Sequence, residues 1–177
     1  MMRGLLLASV VANALLVGAA GDQVIKQLPA RHQVGVAAFS DYSQAADLSN
    51  GVPWYATLGI GAALLTILAV GVGLRVRPRR RGLTVALVTA LVGTVAHSAV
   101  TAVAAPLNFS QRDAVGDLAE LTVIFDRFEQ LTILRGVLQA TVLAALVWSL
   151  ACYTGPSDRG QPLDRRRVAA PQPEDTR

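Results

Sequence analysis

Charge is scarce in this chain, cysteine almost absent and aromatic side chains few. Charged residues make up 16% of its 177 positions, where a water-soluble domain carries about 25%. So little charge cannot cover a globule in water, which excludes a cytosolic enzyme; the composition equally excludes a disordered or collagen-like chain. The single cysteine, Cys152, excludes an intramolecular disulfide, a cysteine metal cluster and thiol–disulfide chemistry. With only His32 and His97, and no His-x-x-x-His or Glu-x-x-His pair, a haem or di-iron centre lacks ligands, and no metal site is expected. Neither a Gly-x-Ser-x-Gly elbow nor a Rossmann fingerprint is present. Net charge is +4, but the arginines stand beside hydrophobic runs, where they act as topology signals and anionic-lipid contacts. Without an aromatic stacking platform as well, nucleic-acid binding is excluded.

What is present is hydrophobic length. Mean hydropathy is +0.45, and apolar residues gather into four runs, Gly4–Gly21, Trp54–Leu74, Gly82–Ala105 and Leu131–Tyr153. At about 1.5 Å rise per residue each crosses a hydrocarbon core of roughly 30 Å. The expected fold is therefore an all-α membrane protein, a four-transmembrane-helix bundle over residues 1–154 with spans at about 4–21, 54–74, 82–105 and 131–153. Gly18-Ala19-Ala20 also has the form of a signal-peptide cleavage site, although Asn13 is out of place in a signal core. Gly59, Gly61, Gly71 and Gly73 in the second run read as close-approach positions and not as a phosphate loop, since no Lys-Ser/Thr follows.

Charge orients the spans. Arg75, Arg77, Arg79, Arg80 and Arg81 fill the connection between runs two and three, and Arg159, Arg165, Arg166, Arg167 and Arg177 lie in the tail. The positive-inside bias places both in the cytoplasm, with Arg3 and the N-terminus. The connections 22–53 and 106–130 carry more acids than bases and face outward. Both hold helical signal, forming a partly helical extracytoplasmic cap. An imperfect apolar stripe runs from Arg31 to Asn50, and Val115, Leu118, Leu121, Thr122, Phe125 and Phe128 mark an amphipathic helix continuous with span four. The proline-rich tail 155–177 reads as disordered and cytoplasmic.

Polar side chains inside spans are costly and usually face the bundle interior. His97 lies outward of the middle of span three. Arg135 sits about one turn inside span four, with Gln139 four residues on, and Asn13 is near the middle of span one. The acids upstream of Arg135 suggest a pair with Glu129 or Asp126. Asn13 also reads as helix-packing glue, and Arg135 as a residue that snorkels to the interface.

The stretch Leu28-Pro29-Ala30-Arg31-His32, the following helix to Asn50-Gly51, Pro106-Leu107-Asn108, and Arg127-Phe128-Glu129 leading to Arg135 resemble the anthrone oxygenase-like family. These are small four-helix membrane proteins abundant in actinobacteria and fungi, and the resemblance covers roughly residues 1–153. It implies a bacterial cell membrane and cofactor-independent oxidation by O₂ of a lipophilic polycyclic aromatic or polyketide-like substrate, anthrone to quinone. Asn108, Arg127, Glu129 and Arg135 match the family's polar positions, whereas Phe128 and Thr132 stand where many members have tryptophan and histidine. The resulting expectation assigns catalysis to His97, Arg135, Glu129 and Asn108, and substrate binding to Arg127, Gln139, Asn13 and His32. His97 or Glu129 would be the base; Arg135 and Asn108 would stabilise the oxyanion. The partners would be a lipophilic substrate, O₂ and the bilayer. Two other classes stay open: a non-catalytic scaffold or accessory subunit, and a lipophile-binding carrier. Four spans alone make a poor transport pathway unless copies associate, so a homo-oligomer stays open too.

Overall fold

The computed structural model describes residues 2–75 and 81–154. The arginine-rich segment 76–80 and the tail 155–177, which carry much of the topology argument and the expectation of disorder, lie outside the described residues. Among the described residues there are only helices and turns. Helix α1 (Met2–Asp22) runs through a π-helical turn (Gln23–Gln27) into α2 (Leu28–Val34). Gly35, at φ 86°, then breaks the chain in the left-handed region that suits glycine. Helix α3 (Val36–Ala45) follows, then a second π-helical turn (Ala46–Gly51) kinked at Ser49, and α4 (Val52–Gly73). Helices α5 (Arg81–Ser110) and α6 (Leu118–Thr154) complete the chain.

Four helices, Met2–Val34, Val36–Gly73, Arg81–Ser110 and Leu118–Thr154, are long and apolar enough to cross a membrane. The protein is an integral membrane four-helix bundle. Around the bundle, α1 packs on α4 and α6, and α5 packs on α6 and, more lightly, on α4. Large apolar side chains such as Leu15, Leu64, Val92 and Val137 stand exposed on the outer faces, as expected of helices solvated by lipid. Several hydroxyls are satisfied within their own helices: Thr66, Thr94, Thr101 and Thr141 each donate to the carbonyl four residues back.

Two apolar clusters hold the ends. One, at the end of the bundle where α4 ends and α5 begins, joins Met2, Leu6, Val70, Leu87, Val142 and Leu146. The other lies in the cap, where Phe39 meets Phe125 edge-on at 5.2 Å beside Ala114, Leu121 and Ile124. Close approach is set by two glycines. A Cβ on Gly93 would stand 2.7 Å from Val142 Cγ2, and one on Gly73 would stand 2.6 Å from both Leu87 Cδ1 and Met2 Cε. The other glycines expected to serve this role, Gly59, Gly61 and Gly71, have nothing within 4 Å of a Cβ.

Two boundaries differ from the sequence reading. The stripe from Arg31 to Asn50 is not one helix, because Gly35 and the Ser49 kink divide it. Conversely, α5 continues past Pro106 to Ser110. The proline costs one ladder hydrogen bond and crowds the Ala102 carbonyl, yet the helix continues through it for another turn. Ser110 Oγ and Gln111 Nε2 then donate to the carbonyls of Leu107 and Asn108 at the helix end. The joining of the amphipathic cap helix to span four is seen as a single α6, started by Asp117, whose Oδ1 accepts from the amides of Ala119 and Glu120 at 3.0 Å.

Candidate functional site

Between the two apolar clusters, where the bundle meets its cap, lies a cavity of about 270 Å³. Every crossing helix supplies part of its wall. Leu16 comes from α1, Tyr55 and Gly59 from α4, His97, Thr101 and Asn108 from α5, and Phe128 and Arg135 from α6, while Asp47 and Leu48 roof it from the second π-helical turn. The periodicity of α5 explains the placement, since His97, Thr101, Ala105 and Asn108 recur at three- and four-residue spacing and share one face. Three of the four residues expected to be catalytic, His97, Arg135 and Asn108, thus meet around one space.

Arg135 does not pair with Glu129 or Asp126. Among the described residues no carboxylate lies within ion-pair distance of it, and its Nε has no hydrogen-bond partner. The acids are held elsewhere: buried Arg31 donates from Nη2 to Glu129 Oε2 at 2.6 Å and to Asp126 Oδ1 at 3.0 Å, and His32 Nε2 lies 3.2 Å from the same Glu129 oxygen. This cluster fastens α2 to α6, and it removes Glu129 and His32 from the cavity.

Asn108 is oriented by a buried network. Gln111, fully enclosed, donates from Nε2 to Asn108 Oδ1 at 2.8 Å and to Ser43 Oγ at 3.2 Å, and its Oε1 accepts from Ser40 Oγ at 3.2 Å. With Oδ1 so occupied, Asn108 keeps its Nδ2–H groups as donors. Ser43 Oγ in turn donates to Asp47 Oδ2 at 3.5 Å. Asp47 sits in the kinked turn above α4, at the roof of the cavity. Arg112 braces the same roof, donating to the Leu48 carbonyl at 2.7 Å with its guanidinium 5.4 Å from the Phe109 ring centre.

The remaining expected site residues stand apart from the cavity. Asn13 and Gln139, expected to bind substrate, are deeper in the bundle. Gln139 Nε2 donates to Asn13 Oδ1 at 2.6 Å, and Asn13 Nδ2 donates to Thr66 Oγ1 at 3.1 Å and to the Ser9 carbonyl at 2.7 Å. They tie α1, α4 and α6 together. Arg127 is exposed beside an open groove of about 490 Å³ with Pro106, Leu107, Ser110 and Gln130.

The sequence reading missed Asp47, Tyr55 and Gln111. Only Tyr55 carried a signal, as an isolated tyrosine at the start of an apolar run. Asp47 and Gln111 are ordinary polar residues in connecting segments, and only the folding of the cap over the bundle gives them a role. Among the described residues no three His, Cys, Asp or Glu side chains gather as a metal ion requires. Searches against protein-family models, curated proteins and solved structures find no match for this chain.

Proposed function

We propose that this protein is a membrane enzyme that oxidises a lipophilic, oxygen-bearing aromatic such as an anthrone with O₂. One observation carries the reading: the cavity brings a histidine, an arginine with no carboxylate partner among the described residues, and an oriented asparagine amide to a single apolar-walled space. At about 270 Å³ it lies near the small end of ligand sites, about 300–1,000 Å³, which suits a compact fused-ring compound arriving from the bilayer.

His97 takes the proton from the ring carbon opposite the carbonyl. The electron pair moves to the carbonyl oxygen, where Arg135 and Asn108 Nδ2–H stabilise the charge in a low-dielectric site. The electron-rich anion then reacts with O₂ at that carbon, and loss of one water leaves the quinone, so that anthrone and O₂ give quinone and water. Asp47 closes the roof of the same space. The cap faces outward in this reading, by the distribution of arginines.

The test is O₂ uptake by purified, metal-stripped protein in detergent with a panel of anthrones and hydroquinones. His97→Ala and Arg135→Ala should each slow turnover by about 10²–10⁴-fold at matched folding. Full activity in both variants, or no uptake above the uncatalysed rate with any compound, refutes the proposal. Binding without uptake would identify a carrier instead.

A further inference from the structure

Arg135 borders a second space. A gap of about 10 Å³ adjoins the main cavity and is lined by Gln23, Tyr55, His97, Thr132 and Arg135 against apolar residues of α1. Its size admits one water, since a site needs about 10–15 Å³ for that. Two of its polar groups have no partner among the described residues, Thr132 Oγ1 and Arg135 Nε–H. Thr132 is 2% exposed. Thr66, Thr94, Thr101 and Thr141 return their hydroxyls to the carbonyl four residues back, whereas Thr132 does not.

We infer that this gap is a single-water site in which the water bridges Thr132 Oγ1 and Arg135 Nε. An apolar gap of this kind would stay dry, but here the wall offers the two to four polar partners that a buried water needs. The water accepts from Arg135 Nε–H and exchanges a hydrogen bond with the Thr132 hydroxyl. Engaging Nε from the side fixes the plane of the guanidinium and leaves its terminal NH₂ groups for the cavity. Thr132 is thus a positioning residue for Arg135. The water follows from packing and polarity alone; its effect on turnover rests on the proposed reaction, in which Arg135 meets the oxyanion.

A crystal structure of the full chain in a lipidic phase, at a resolution that places ordered waters, tests the site directly. One density peak is expected within about 2.7–3.2 Å of both Thr132 Oγ1 and Arg135 Nε. A protein partner on either atom, or a gap without density, overturns the inference whether or not the protein turns over an anthrone. For the positioning role, Thr132→Val should lower kcat for 1,8-dihydroxy-9-anthrone by about 10- to 100-fold with little change in KM. Thr132→Ser, which keeps the hydroxyl, should restore kcat. Equal kcat in the valine variant overturns the positioning role while leaving the reaction standing. Absence of turnover in the wild type overturns the reaction and, with it, this positioning role, and leaves the density to decide the water.

Discussion

Replacing Asn13 by leucine should destabilise the bundle more than replacing Asn13 and Gln139 together. Asn13→Leu removes two interhelical hydrogen bonds, to Gln139 at 2.6 Å and to Thr66 at 3.1 Å. Thr66 loses little, because its hydroxyl also donates to the Ala62 carbonyl at 2.8 Å. Interhelical bonds in membranes average about 0.6 kcal/mol and reach about 1.7. Gln139, however, is 2% exposed, and its stranded amide costs roughly 1–3 kcal/mol more than the bond itself suggests. The single change should therefore cost about 2–3 kcal/mol. Gln139→Leu strands only one carbonyl of an asparagine that remains bonded twice, for about 1 kcal/mol. In the double variant no polar group is left over, so the loss should fall to about 1 kcal/mol and the coupling should be about 2–3 kcal/mol. Reversible unfolding in mixed detergent micelles gives all three values. A double variant as unstable as the sum of the singles would refute the account of these residues as a self-contained tie. Lost O₂ uptake in a well-folded double variant would return them to the substrate site.

Gly93→Ala places a methyl 2.7 Å from Val142 Cγ2, and such overpacking should cost about 1–3 kcal/mol in the same unfolding assay. Adding Val142→Ala should recover part of that loss; no recovery would mean the helices do not meet there. Arg31→Met leaves Glu129 and Asp126 facing each other. Because Asp126 is 57% exposed and Glu129 25%, the cost should be about 2–3 kcal/mol, below the roughly 3–5 of a fully enclosed pair. Faster hydrogen exchange over residues 28–34 is the expected sign, and unchanged protection would show that the clamp does not hold the cap.

The long apolar runs made the helices legible, and the polar interruptions marked His97 and Arg135 by depth alone. The expected Arg135–Glu129 pair failed for a geometric reason. Six residues along a helix turn a side chain roughly 240° further round at 3.6 residues per turn, so the two point to different faces. The acid's partner came instead from Arg31, 98 positions away. Gln139 does lie near the face of Arg135, but a further turn along α6 carries it below the cavity floor to Asn13. Asn108 sat after a proline that usually ends a helix, yet α5 runs through Pro106 and brings it into line with His97.

The sequence alone determined that this is a membrane-spanning helical protein, because an apolar run of some twenty residues has few other ways to satisfy its backbone in hydrocarbon. It also determined which polar groups would have to be kept from lipid. Only the tertiary structure decided which of them meet: His97, Arg135 and Asn108 around a cavity, Asn13 and Gln139 in a helix tie, Arg31 and Glu129 in a clamp. The physical reason is that hydropathy accumulates along the chain, whereas a hydrogen bond or ion pair depends on a few ångströms between groups on different helices, set by how those helices rotate and pack.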